Sequence, residues 1–322
     1  MHPTGEGGLG GPGIQSPLSV QHKCEKRRMK APEYIPQSAT QSLSDLLDRW
    51  VPLLDDIRSC LLSFAPDLEA HKDNTNPKHL AASELSLAQF FTFSSVAVLV
   101  AQAHHGDAFS LLRILYEGHL HLWNLCIGDE EQAERYLHLA AIQDWRIAKE
   151  AVAIEGTDLR SNYYDEARMN QLQARYEAAS SYFGCRPGRV PRNYTTISNG
   201  RIAELIDAAE SGSRPFRQLM HIRLYSAGSE YVHRSLFGIR EGFAAIERET
   251  EGNAKWVMAP NPARGIEAAW WSGVIILDGA KWYAQLLDAR VPDEMASLAD
   301  REANLAAEWL GLSSPGDTHK AD

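Results

Sequence analysis

Apolar side chains recur every three to four positions along most of the chain, the period of a helix with one buried face. The first such run carries Leu46, Leu47, Trp50, Leu53, Leu54, Ile57 and Leu61. Ser42 or Ser44 is placed to cap it, and Pro66 to end it. The turn-forming HKDNTNPKH at 71–79 follows, and Ser83 opens an apolar helix to about residue 104. Its longest apolar run, 90–103, falls short of the roughly 20 residues that a membrane span requires, which predicts a buried core helix.

Residues 104–145 form two helical runs around an acidic break. Phe109, Leu112, Tyr116, His119 and Trp123 share one face of the first run. Gly128 is placed to end it, and Asp129 with Gln132 three positions later makes a capping box for the second, which continues towards Val152. A charged helix is predicted from about Asn162 to Tyr182. The pattern then breaks in FGCRPGRVPRNYTTISNGR, which has no acidic residue between 183 and 203 and reads as a loop. Helices are predicted from Ser198 or Asn199 to Ala209, from Pro215 to about Phe237, from Ala263 to Ala289 and from Pro292 to about Gly311. WVMAPNPARG reads as a break, and no stretch alternates as a strand does.

The fold class this predicts is all-α, a bundle of about eight or nine helices with no β-sheet. Residues 1–37 are rich in glycine and proline and read as a disordered tail, 38–312 as a single helical domain, and 313–322 as a frayed end. The basic cluster from Lys23 to Lys30 reads as solvated tail. The chain has 322 residues with 44% hydrophobic and 23% charged, ordinary globular usage. Its net charge of -10 argues against a surface devoted to nucleic acid, though a local basic patch is compatible with it. Four separated cysteines suggest neither a zinc knuckle nor a disulfide framework. With no signal-like start, the expected location is cytoplasmic, with no membrane partner. The tryptophans of 263–289 make a homodimer a natural expectation.

Several constellations carry candidate chemistry. Arg113 and Glu117 lie four apart on one helix, within side-chain reach. Tyr225, Ser229 and His233 recur every four residues in LYSAGSEYVHRS and can form a polar strip facing that pair. Such a seam either fixes helix register or positions a base and an anionic ligand. In the functional reading His233 is the base, Arg113 stabilises phosphate charge and Glu117 orients it.

The segments SLLRILYEGHLHLW, EEQAERYLHLAAIQDW and LYSAGSEYVHRS resemble a bacterial helical family known as domain of unknown function 5677, over roughly residues 85–240. Arg113, Glu117, Glu134, Arg135, Tyr136, Tyr225, Ser229 and His233 occupy its motif positions. Arg234 stands where that family has glycine. The resemblance implies a helical fold and no activity.

Two further pairs, Arg113 with His119 and Arg214 with His221, are similar to the Arg and His spacing of HEPN domains, helical nucleotide-binding and RNase modules. With 12 histidines such pairs arise by chance. Glu117, His121, Glu134 and His138 pair at i, i+4 across the acidic break and can be drawn as a metal site. Histidines at surfaces or helix ends are the plainer reading, and neither metal nor cofactor is called for. Arg186, Arg189 and Arg192 are spaced to meet successive phosphates, with Tyr194 to stack on a base, against the alternative of a solvated loop. The leading reading is therefore a bacterial protein of stress or phage defence that acts on RNA or a nucleotide, ribonuclease-like if an enzyme. The rival is a non-catalytic scaffold or ligand-binding module.

Overall fold

The helical periods close into a bundle around one axial helix. The computed structural model describes residues 34–35, 37–155, 164–184, 193–210, 215–232, 243–250 and 253–311. In chain order the helices are α1 (Gln37–His71), α2 (Pro77–Ala101), α3 (His105–Ile127), α4 (Glu130–Glu155), α5 (Glu166–Tyr182) and α6 (Asn199–Ala209). Then come α7 (Phe216–Met220), a π-helical segment (His221–Ser226) and α8 (Ala227–Val232), followed by α9 (Pro262–Leu286) and α10 (Asp293–Trp309). Counting the continuous run from α7 to α8 as one, there are nine helices among the described residues. The protein is an all-α bundle.

α9 is the axis because most of its length is buried and it is rich in small residues. It packs against α1, α2, α3 and α10, burying Ile266, Trp271, Ile275, Ile276 and Leu277. Trp270 stacks on Trp271 at 4.1 Å between ring centroids and meets Trp309 edge-on, so these rings are used within the chain. α4 and α5 pack on each other outside this layer. The described helices belong to one compact unit, Pro32–Asp322. Of the expected tails, 1–37 and 313–322, residues 1–33, 36 and 313–322 lie outside the described residues. Tyr34–Ile35 form a strand and Gln37 opens α1, so the N-terminal bound is corrected.

Local chemistry sets several boundaries. Asn76 caps α2 through Lys78 and His79, with Pro77 in the first turn, so the helix opens before Ser83. α2 is thereby 25 residues long and, by length and composition alone, apolar enough to cross a membrane. Asp129 accepts the Gln132 N–H at 2.9 Å at the head of α4, as the capping pattern predicts. Gly128 needs to be glycine for space, since a Cβ would stand 2.7 Å from the Asn124 carbonyl oxygen.

Three expectations are corrected. Pro66 does not end the first helix, because α1 runs through both Pro52 and Pro66. Burial of Trp50, Leu54, Ile57 and Phe64 along one face outweighs the lost backbone hydrogen bonds. The fifth helix starts at Glu166, where Asp165 caps the Arg168 N–H. A small ribbon departs from the expectation of no sheet: β2 (Phe243–Thr250) pairs antiparallel with β3 (Asn253–Pro260), and β1 (Tyr34–Ile35) pairs parallel with β2. WVMAP is thus strand rather than break. The pairing of Thr250 with Asn253 leaves two residues between the strands, the spacing of a tight hairpin.

Candidate functional site

A polar cleft of about 690 Å³ opens where α3, α4, the 193–198 loop, the first turn of α6 and the π-helical segment meet. Glu117, His121, Tyr136, Tyr194, His221 and Tyr225 line it with the Ser198, Asn199 and Gly200 start of α6. Among the described residues lining it there is neither lysine nor arginine.

The α6 edge follows from its cap. Ser198 accepts the Arg201 N–H, and the Ser198 carbonyl accepts that of Ile202. A helix start leaves its first N–H groups without intrahelical acceptors, so those of Asn199 and Gly200 meet the cleft at the positive end of the helix dipole. His221 stands against this turn: a Cβ on Gly200 would lie 3.5 Å from its Nε2.

Helix geometry explains the pose of His221. A π-helical turn carries an extra residue and is frequent at functional sites. Here it places His221 and Tyr225 face to face, 4.9 Å between centroids and 15° between planes. Tyr116 flanks the imidazole at 6.0 Å. Burial lowers the His221 pKa from its ordinary 6.5, and the nearby Glu117 charge partly opposes that. The ring is therefore neutral at pH 7 and fit to accept a proton. Its Nδ1 has no hydrogen-bond partner among the described residues.

Arg113 holds the opposite wall. Its guanidinium lies over the Tyr225 ring, 4.9 Å from the centroid, and its Nη2 donates to Glu117 Oε1 at 3.3 Å. α8 comes close enough for this because residue 228 is glycine, where a Cβ would fall 2.8 Å from Arg113 Cβ. Arg113, Glu117 and Tyr225 therefore meet as one group. Ser229 is turned away, its hydroxyl donating to the Tyr225 carbonyl at 2.7 Å.

The floor is pinned through Tyr194. Asn124 Nδ2 donates to its hydroxyl at 3.2 Å, and Arg135 Nε donates to its carbonyl at 3.1 Å. The same hydroxyl meets His121 Nδ1 at 3.0 Å. Burial lowers the His121 pKa.

Other candidates fall elsewhere. Tyr194 is buried and held on three sides, so it is a strut and not a free stacking platform. His119 parts from Arg113 altogether: it is fully buried, stacked on Trp282 at 4.4 Å, with Nε2 3.4 Å from Arg217 Nη1. An arginine only donates, so Nε2 is unprotonated and the ring neutral, and burial holds its pKa well below 6.5. That breaks the first HEPN-like pair, and Arg214 of the second lies outside the described residues. The metal drawing fails too. His138 stacks on Tyr182 at 4.2 Å while His121 faces Tyr194, and among the described residues no three His, Cys, Asp or Glu groups gather for a metal. His105 of the histidine doublet is buried against Asn261, 2.7 Å from its carbonyl oxygen.

His233, Arg186, Arg189 and Arg192 lie outside the described residues. The histidines that the geometry does place in the cleft are His121, held by Tyr194, and His221. The sequence signal for His221 was the Arg214 spacing alone, while the capped start of α6 was legible but not linked to it.

A family model described as Family of unknown function (DUF5677) matches residues 79–251. The chain belongs to this family. The matched DUF5677 stretch covers more than half of the chain and contains every residue that lines the cleft. No curated protein and no solved structure matches the chain.

Proposed function

We propose that the cleft binds a nucleotide through its phosphate and that His221 serves as the acid–base group acting on it. One observation carries the reading: the N-terminal turn of α6 and the neutral imidazole of His221 line the same cleft side by side, His221 Nε2 standing 3.5 Å from where a Cβ on Gly200 would be. A helix N-terminus favours phosphate. The Glu117 carboxylate across the cleft accepts hydrogen bonds from ribose hydroxyls or a base amino group, with Arg113 offsetting its charge. The Tyr136 ring supplies apolar surface for a base. Arg186, Arg189 and Arg192 immediately precede Asn193 in the chain and extend the same reading to RNA. On RNA, His221 takes the 2′-hydroxyl proton as that oxygen attacks phosphorus, and the P–O5′ bond breaks. The departing 5′-oxygen takes a proton from water or from the protonated His221, and a 2′,3′-cyclic phosphate remains, the step on which the ribonuclease reading similar to HEPN domains rests.

A specific observation also favours the rival, a non-catalytic ligand-binding module. Arg113 is spent on Glu117 and Tyr225, and no cation among the described lining residues meets a transition-state phosphate. The two are separated by titrating the protein with adenosine 5′-monophosphate and by incubating it with single-stranded RNA in EDTA, each beside His221→Ala. Nucleotide binding together with RNA cleavage that His221→Ala abolishes supports the enzyme. Binding without cleavage supports the module, and absence of both overturns the proposal.

A further inference from the structure

The cleft holds a second imidazole besides His221, and each ring presents one nitrogen to it. His221 keeps Nδ1 buried, so the nitrogen it offers is Nε2, beside the first turn of α6. His121 stands on α3, four residues after Glu117, and lines the same cleft with its side chain only partly buried. Its Nδ1 is taken up by the Tyr194 hydroxyl at 3.0 Å. No hydrogen bond within the described residues engages its Nε2, and that atom is not among those sealed from solvent, so it opens to the cleft. Glu117 links the two positions. One helical turn separates it from His121, about 5–6 Å between Cβ atoms, and its charge acts on His221.

Tyr194 suits a ring that changes its protonation state. A hydroxyl donates to a bare Nδ1 and accepts from a protonated one, and its oxygen has two acceptor sites. Asn124 Nδ2 takes one of them at 3.2 Å, which leaves the other for His121. The Tyr194 ring also meets the imidazole edge-on, 5.4 Å between centroids. Burial raises the Tyr194 pKa, so the phenol stays neutral and orients the imidazole without competing for its proton. The other described lining groups that titrate are Glu117, which accepts from Arg113 at 3.3 Å, and the hydroxyls of Tyr136 and Tyr225.

We infer that His121 is the general acid of this cleft, an assignment that rests on the ribonuclease reading and divides its proton transfers between two imidazoles. His221 Nε2 takes the 2′-hydroxyl proton, the 2′-oxygen bonds to phosphorus, and the P–O5′ bond breaks. In place of water or His221 itself, the charged His121 ring passes its Nε2 proton to the departing 5′-oxygen. The products are a 2′,3′-cyclic phosphate and a free 5′-hydroxyl. His221 is left charged and His121 neutral, and proton exchange with water restores both. The His121 imidazolium also supplies the positive charge that the described lining otherwise lacks.

The test compares cleavage of a single-stranded RNA with that of the same RNA carrying sulfur in place of one bridging 5′-oxygen. Both are assayed at about pH 6, because burial lowers the His121 pKa and the charged ring is favoured on the acid side. A thiolate departs without a proton, so the sulfur linkage needs the base and not the acid. His121→Ala and His121→Gln, read where circular dichroism shows the variant folded, are expected to slow cleavage of the oxygen linkage by about 100-fold or more and to cleave the sulfur linkage at the wild-type rate. His221→Ala is expected to slow both. Unchanged cleavage of the oxygen linkage by the His121 variants overturns the inference and leaves the ribonuclease reading standing. An equal loss on both linkages does the same, because it marks a structural residue. Cleavage of neither linkage by the wild-type chain overturns that reading and the inference with it.

Discussion

The imidazole of His221 lies face to face with the ring of Tyr225, four residues on in the same π-helical segment, 4.9 Å away and tilted by 15°. Their stacking fixes the imidazole edge towards the first turn of α6. Arg113 covers the Tyr225 ring and joins this pair to Glu117. The cleft is thus held by α3, α6 and the π-helical segment together, and disturbing any one displaces the others.

Gly228 is the narrowest point of that arrangement. A methyl group there would stand 2.8 Å from Arg113 Cβ, so Gly228→Ala is expected to cost about 1–3 kcal/mol, typical of overpacking. Urea unfolding measures the loss. Nucleotide binding should weaken with it, since Arg113 and Tyr225 move together, and unchanged stability and binding would show that α8 yields without effect.

Arg217 anchors a different part of the bundle. It is 4% exposed and donates to Glu210 at 2.9 Å and Asp278 at 2.7 Å, while Asp207 accepts its backbone N–H. Arg217→Met leaves the partly buried Asp278 with only Lys281 at 3.9 Å and deprives the exposed Glu210 of its partner, and is expected to cost about 2–3 kcal/mol, below the range for a fully buried pair. A loss below about 1 kcal/mol in urea unfolding would mean that those carboxylates are already well solvated.

Glu302 predicts a pH dependence on the alkaline side. Burial, reinforced by the charge of Asp278, raises its pKa from 4.5 to about 8. The folded state therefore holds a proton that the unfolded state releases first, so this group's contribution to stability falls as pH rises from about 4.5 towards 8, opposed below pH 6.5 by the buried histidines. Glu302→Gln keeps the side chain neutral and should flatten that fall. Stability measured at intervals across the window checks it, and equal slopes in both proteins would contradict the assignment.

The buried histidines act on the acid side. His105, His119, His121 and His221 all have pKa values lowered from 6.5, with burial the largest cause in each. Below pH 6.5 the unfolded chain takes up protons that the folded chain refuses, so stability drops as pH falls. His119→Gln removes the deepest contributor and should reduce the slope, even if it lowers stability at pH 7. A slope unchanged by that variant would place the acid sensitivity elsewhere.

How much of this was legible depends on how local the cause is. Ser198 capping α6, Asp129 capping α4 and the i, i+4 approach of Arg113 to Glu117 are read from neighbours in sequence. The run through Pro52 and Pro66 is not, because burial against α9 and α10 overrides a local breaker. FAAIERET lacks clean alternation, so the ribbon was hidden too. At the site, no spacing rule shows that the chain would bend into a π-helical turn at His221, or that Tyr194 would be locked by Asn124, Arg135 and His121. Those contacts form only when distant segments meet, and they turn a list of capable residues into a cleft.

The nucleotide reading is tested most directly at His221 itself. Histidine ring resonances recorded while adenosine 5′-monophosphate is added should move for His221, with the Gly200 amide shifting alongside, whereas adenosine without phosphate should leave Gly200 in place. The buried His105 ring serves as the internal control and should not move. Binding that leaves His221 and Gly200 unshifted, or no binding at all, would contradict the account.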